Sequence, residues 1–311
     1  MRILITGGFG YVGGRLALHL NQSGHKIFLG TRKNYVSPVW LPEASVVQID
    51  WVSDKSIDKA CQGMDAVIHC AGINAKNCAG NPVQALEFNG LATSRLAHSS
   101  SNSNVKRFLY LSTAHVYSDP LAGNISEDTC PRNLHPYATS HLSGESAVLQ
   151  ISNTGKMHST ILRLSNAFGK PASISADCWM LLVNDLCRQA VVERSLTLKS
   201  NGEQLRDFIS LTNVCQLIEN ILSYSPKLNL PPVLNIGSGY SQSVLEMTEK
   251  VQNHCHRILG YKPEIIKPLK NNSNKLPFKF ICKGLKKINL AIEENSEQEI
   301  DELLHFCATN F

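Results

Sequence analysis

Along the first half of the chain, short apolar runs alternate with segments whose apolar residues recur at helical spacing. Residues 2–6 (RILIT) form a β-rich run, and 11–23 read as a helix whose face is Val12, Leu16, Leu18 and Leu20, with Gly24 placed to close it. The same reading predicts strands at 26–30, 45–49, 66–71, 108–112 and 159–164, and helices at 56–62, 82–101 and 136–152. This alternation predicts an α/β fold built on a doubly wound parallel sheet. After Asn166 the rhythm changes. Helices are expected at 178–190, 212–222, 244–259 and 298–306, strands at 195–199, 207–211 and 233–236, and a Pro-, Lys- and Asn-rich loop over 263–280.

The 311 residues suit one large domain or two interlocked ones, and 43% hydrophobic with 18% charged residues is an ordinary globular balance. A net charge of +5 fits a phosphate-bearing ligand. The basic residues are scattered, and their densest cluster, 262–287, is broken by Pro263, Pro268 and Pro277, so no nucleic-acid partner is expected. Ten cysteines stand singly, with no C-x-x-C pair, which argues against a zinc ribbon or a thioredoxin-type redox site. Cys61, Cys70, Cys187 and Cys215 sit among apolar neighbours, as reduced thiols in a cytoplasmic protein would. His254 and His256 lie two apart on a helix and do not face one another, so no metal site is expected. No run approaches the roughly 20 apolar residues of a membrane span, and no secretory leader is visible.

The candidate chemistry begins at Gly7-Gly8-Phe9-Gly10-Tyr11-Val12-Gly13, between the first strand and the first helix. Glycines at 7, 10 and 13 let a pyrophosphate approach the backbone over a helix N-terminus, the arrangement of a Rossmann-like dinucleotide site. The second strand ends in Gly30-Thr31-Arg32-Lys33, without a carboxylate for a ribose 2′-hydroxyl and with two cations for a 2′-phosphate. NADP(H) is therefore the expected cofactor, ahead of NAD.

These features resemble the extended short-chain dehydrogenase/reductase family, in its nucleotide-sugar epimerase, dehydratase and reductase branch. Asp50 and Trp51 look like the family's adenine-contacting segment, and Cys70-Ala71-Gly72 like the small-residue strand end against the cofactor. Asn89-Gly90 resembles a helix segment of the family. Leu111-Ser112-Thr113-Ala114-His115-Val116-Tyr117 resembles its catalytic Ser/Thr strand end, which makes Thr113 the catalytic candidate and Ser112 its substrate-facing neighbour. Tyr137 opens a Tyr-x-x-x-His where the family has Tyr-x-x-x-Lys, and positions i and i+4 share a helix face, so His141 can still lie beside Tyr137 and reach the nicotinamide ribose. The resemblance also makes Asn166 and Arg206 substrate-binding candidates, the latter for a diphosphate. It implies a Rossmann domain over 1–165, a smaller substrate domain over 166–311, returning segments near 207–222 and 233–237, and a homodimer through the helices at 82–101 and 136–152.

The exchange of Lys for His has a direction. A fixed charge about 4 Å from a phenol is worth about 4 kcal/mol at an effective dielectric near 20, whereas a histidine is mostly neutral at pH 7. Tyr137 then stays protonated, which hurts a base that must oxidise a hydroxyl more than an acid that completes a ketone reduction. The expected activity is NADPH-dependent reduction of a keto group on a nucleotide-activated sugar. Tyr137 would be the acid, Thr113 would orient the carbonyl, His141 would hold the ribose and feed the proton path, and Asn89 would complete the relay. An NAD-dependent epimerase or dehydratase, and a cofactor-binding sensor or scaffold with little catalysis, stay open as alternatives.

Overall fold

The computed structural model describes residues 1–224, 230–268, 276–293 and 295–311. Its central sheet has parallel strands in the spatial order Val233–Ile236, His158–Leu164, Arg107–Thr113, Ala66–His69, Arg2–Thr6, Lys26–Thr31, Ser45–Gln48. The chain first builds outward from Arg2–Thr6, then crosses back to lay Ala66–His69 on its other side. The C-terminal ends of Arg2–Thr6 and Ala66–His69 thus flank the point where strand order reverses, the position at which such sheets open a ligand crevice.

The inner strands are buried on both faces, while the edge strand Ser45–Gln48 is only half-buried. Ile3 and Ile5 join Leu16, Leu20, Leu217, Ile218 and Ile221 on one side, while Leu4 joins Val67, Leu96, Phe108, Val148 and Ile161 on the other. Each fully buried Leu or Ile of this kind contributes roughly 1.5–3 kcal/mol. A third core, with Val183, Leu186, Val251, Ile300 and Leu303, holds the C-terminal lobe.

Segments far apart in sequence are tied by Glu299, on the helix Ser296–Asn310. Its buried carboxylate accepts from Arg15 Nη1 at 2.9 Å, Lys170 N at 3.1 Å, and Thr212 N and Oγ1 at 3.0 and 2.5 Å. Tyr11 adds a hydrogen bond from its hydroxyl to Gly169 O at 3.1 Å.

Several elements depart from the expected ones. The single helix at 82–101 is an α turn Pro82–Ala85, a π-helical segment Leu86–Ala92 and an α-helix Thr93–Asn102. This stretch lies close to the helix Pro136–Ser152, where a Cβ on Gly90 would come within 2.9 Å of Ser143 Oγ. The helix expected from 178 begins at Leu182. The expected loop at 263–280 contains two three-residue strands: Glu264–Ile266 pairs with Ser195–Thr197, and Phe278–Phe280 with Gly123–Ile125. Residues 269–275 of that loop lie outside the described residues. The strand expected at 207–211 does not return to the central sheet. Leu205–Ser210 lies instead between Asn166–Phe168 and Ser241–Ser243 in a sheet of its own. The helix after it, Leu211–Ser223, packs on Tyr11–Gln22, and Val233–Ile236 pairs with His158–Leu164. Among the described residues no helix is long and apolar enough to cross a membrane.

Candidate active site

A cleft of about 740 Å³ opens over the sheet's switch point, a size suited to a cofactor or drug-sized ligand. One wall is the glycine turn. Gly7 has φ +68°, and a Cβ there would meet Ala71 N at 2.8 Å, while a Cβ on Gly13 would meet Gly7 O at 2.3 Å. Only glycine fits either position, so the turn stays tight and brings the helix Tyr11–Gln22 directly onto the cleft. Gly10 occupies that helix's N-cap and offers no side-chain cap, and the first turn carries no acidic residue. The first N–H groups are left for an anion, which is the arrangement a dinucleotide pyrophosphate requires. Phe9, Tyr11, Val12, Gly30, Arg32, Trp51, Cys70, Ala71 and Gly72 continue the lining.

The opposite wall carries the proton chemistry. Thr113 ends the strand Arg107–Thr113, and Tyr137 and His141 sit one turn apart near the start of Pro136–Ser152, whose N-cap is His135 through a 3.1 Å bond from Tyr137 N to Nδ1. The Tyr137 and His141 rings meet edge to face, 4.6 Å between centroids. Burial raises the Tyr137 phenol above its ordinary pKa, partly offset by a hydrogen bond with Thr113, while nearby Cys78 adds to the rise. Burial pushes His141 down to about 4. The imidazole is therefore neutral near pH 7 and supplies no charge to hold a tyrosinate.

Asn166, Arg206, His115 and Asp177 also line the cleft. Asn166 Nδ2 donates to Asp207 O at 2.9 Å. Desolvation lowers the Arg206 pKa, opposed by the charge of Asp119.

Some expected residues lie elsewhere. Asn89 is buried with its amide engaged: Oδ1 accepts from Ile73 N at 2.9 Å, and Nδ2 donates to Ser140 Oγ at 3.0 Å. It is hydrogen-bonded to neither His141 nor Tyr137, although its Oδ1 and His141 Nε2 both lie beside Gly72. Asp50 is exposed and caps its own turn, accepting from Val52 N at 3.1 Å. Lys33 is absent from the cleft lining, its ammonium 5.7 Å over the Tyr35 ring, which packs on Phe9. Ser112 borders the cleft, but its hydroxyl donates to Glu145 Oε1 at 2.5 Å, and Arg163 Nη2 pairs with Oε2 of the same carboxylate at 2.6 Å. Ser112 thus leans on a buried ion pair behind the site.

Residues 3–237 match the model of a family described as the NAD dependent epimerase/dehydratase family. The chain belongs to that family. Membership makes it an enzyme of the extended short-chain dehydrogenase/reductase type. A UDP-glucose 4-epimerase of Schizosaccharomyces pombe is 27% identical over 292 residues, covering 84% of this chain and 81% of the relative. The solved structure of MoeE5 in complex with UDP-glucuronic acid and NAD superposes with a TM-score of 0.82 at 21% identity, covering all of both chains. The UDP-glucuronic acid 4-epimerase of Bacillus cereus, in complex with UDP-glucuronic acid and NAD, superposes with a TM-score of 0.79 at 20% identity, again over both whole chains.

The family corrects the expected cofactor. It is NAD dependent, and both of these solved relatives hold NAD. Of the two cations at the end of the second strand, Arg32 lines the cleft and is exposed, while Lys33 lies over Tyr35. Counting cations at that strand end therefore does not separate NADP from NAD in this chain. Sequence reasoning also passed over Tyr110 and Gly144, which border His141 from behind. A tyrosine in a buried strand gives no signal of a partner 31 positions away.

Proposed function

We propose that this family member binds NAD along the glycine turn and a nucleoside diphosphate sugar toward Arg206, and interconverts a hydroxyl and a keto group on the sugar. The observation that carries this reading is the Thr113–Tyr137–His141 wall facing the glycine turn across one cleft. The nicotinamide accepts or donates the hydride when the cofactor is bound. Tyr137 exchanges the hydroxyl proton, Thr113 orients the same oxygen, and Arg206 meets the diphosphate with its planar donors.

The raised Tyr137 and the neutral His141 favour the reductive half of that exchange near pH 7, since the phenol is there to give a proton and is a poor base. The relatives' names make UDP-sugars the first substrates to try. The helix face with exposed Val83, Leu86 and Leu91 is offered as the homodimer contact, and the division into lobes near residue 165 as the boundary between cofactor and substrate binding. The test is turnover in both directions: NADH with a 4-keto nucleoside diphosphate sugar, and NAD with the parent sugar, followed by reduced-nicotinamide absorbance. Measurable reduction that outpaces oxidation at pH 7 is expected. Absence of turnover in both directions with intact NAD binding overturns the reading.

A further inference from the structure

Behind His141, three aromatic rings stack from the switch point to the cleft. His69 and Tyr110 lie 5.4 Å apart at 21°, and Tyr110 and His141 5.9 Å apart at 26°. The hydrogen bonds along this stack can be given directions. Thr93 Oγ1 donates to Asn89 O at 2.7 Å, a carbonyl that can only accept. Thr93 Oγ1 is then the acceptor for His69 Nε2 at 2.9 Å, so Nε2 carries the proton. Burial holds His69 neutral, leaving Nδ1 bare to accept from Thr6 Oγ1 at 2.6 Å. At the other end, the Tyr110 hydroxyl reaches His141 Nδ1 at 2.8 Å and Asn89 O at 3.4 Å, and it also lies beside the Thr93 hydroxyl, whose oxygen already accepts from His69. The first has an ordinary hydrogen-bond length and the second is marginal, on a carbonyl that Thr93 already occupies.

We propose that Tyr110 is a positioning residue for His141: its hydroxyl donates to Nδ1, holds the imidazole as the Nε2–H tautomer, and leaves that one N–H to face the cofactor cleft. The backbone makes room for this arrangement. Gly144 lies three residues after His141 on the same helix, and a Cβ there would come within 2.9 Å of the Tyr110 hydroxyl and 2.6 Å of Asn89 O. Nε2 lies against Gly72, 3.8 Å from where a Cβ on that cleft-lining residue would stand. Among the described residues Nε2 forms no hydrogen bond, so its proton is left for a ligand. The inference rests on the proposed site only in taking that ligand to be the nicotinamide ribose. Tyr110 and His141 together supply a directed donor without a charge. The tautomer matters because a ring that turned its bare nitrogen outward would offer an acceptor instead, and the ribose contact would have to be rebuilt.

The test is ring-nitrogen NMR of the full chain labelled at histidine, with the His141 signals identified by their loss in His141→Gln. The intact protein should show His141 with Nε2 protonated and Nδ1 bare at pH 7. Tyr110→Phe should mix or reverse the tautomers and weaken NAD binding roughly three- to tenfold. That weakening should vanish in a His141→Lys background, because Tyr110 acts through the imidazole. An Nδ1–H tautomer in the intact protein overturns the proposal without any variant being needed. An unchanged His141 spectrum in folded Tyr110→Phe does the same. Failure to turn over any sugar would count against the proposed function and leave the tautomer assignment standing.

Discussion

Replacing His141 with Lys puts the missing charge beside Tyr137. The two rings are 4.6 Å apart at their centroids, so an ammonium on this residue would lie about 5 Å from the phenol oxygen. At an effective dielectric of about 20 a unit charge at that distance favours tyrosinate by about 3 kcal/mol, which corresponds to on the order of 100-fold more tyrosinate at fixed pH. That figure is a ceiling, because burial disfavours the charged lysine as well. The assay is the pH profile of kcat/KM for oxidation of the nucleotide sugar with NAD, beside the same profile for reduction with NADH. The wild-type oxidative limb should rise with pH toward the alkaline end, since Tyr137 is held above its ordinary pKa. In His141→Lys that limb should move to lower pH and the oxidative rate at pH 7 should rise ten- to a hundredfold, by about the same arithmetic, with little gain in reduction. An unmoved limb, or equal gains in both directions, refutes the reasoning.

Three further outcomes are expected. Stability should fall as pH drops from about 6.5 toward 4: unfolded histidines take up protons near their ordinary pKa of about 6.5, whereas His141 and His69 do so only near about 4 and about 3 when folded. Urea midpoints that stay level across that window would contradict this. Glu145→Gln leaves the buried Arg163 without its counter-charge and should cost about 3–5 kcal/mol, read as a lowered denaturation midpoint; a change under about 1 kcal/mol would show that the pair is dispensable. Gly13→Ala should abolish measurable NAD binding by calorimetry while circular dichroism stays native, whereas Lys33→Ala should leave NAD affinity within twofold. A tighter effect of Lys33 would return it to the site.

Much of the central sheet was legible because most of its strands are short, nearly continuous apolar runs, several of them followed by a helical period. The glycine turn was legible because its requirement is local: three glycines, one strand and the start of one helix within thirteen positions. What escaped depends on distant partners. Glu264–Ile266 and Phe278–Phe280 are strands only because Ser195–Thr197 and Gly123–Ile125 lie beside them, and three residues cannot display a period. The π-helical turn Leu86–Ala92 keeps a helical composition, and the partners of Asn89, at residues 73 and 140, are set by its packing rather than by its sequence. Arg32 and Lys33 are adjacent in sequence, yet Arg32 borders the cleft and the Lys33 ammonium sits over Tyr35. A motif that counts cations sees two where the cleft lining holds one. The same limit hid Tyr110, whose hydroxyl acquires meaning only from an imidazole on another element.

The Glu299 carboxylate gathers donors from positions 15, 170 and 212, so one side chain on the helix Ser296–Asn310 is shared by segments far apart in sequence. Arg15 lies on the helix that opens directly after the glycine turn. Damage at Glu299 would therefore be felt at the dinucleotide end of the cleft, and a lesion remote from the chemistry would read out as a cofactor defect.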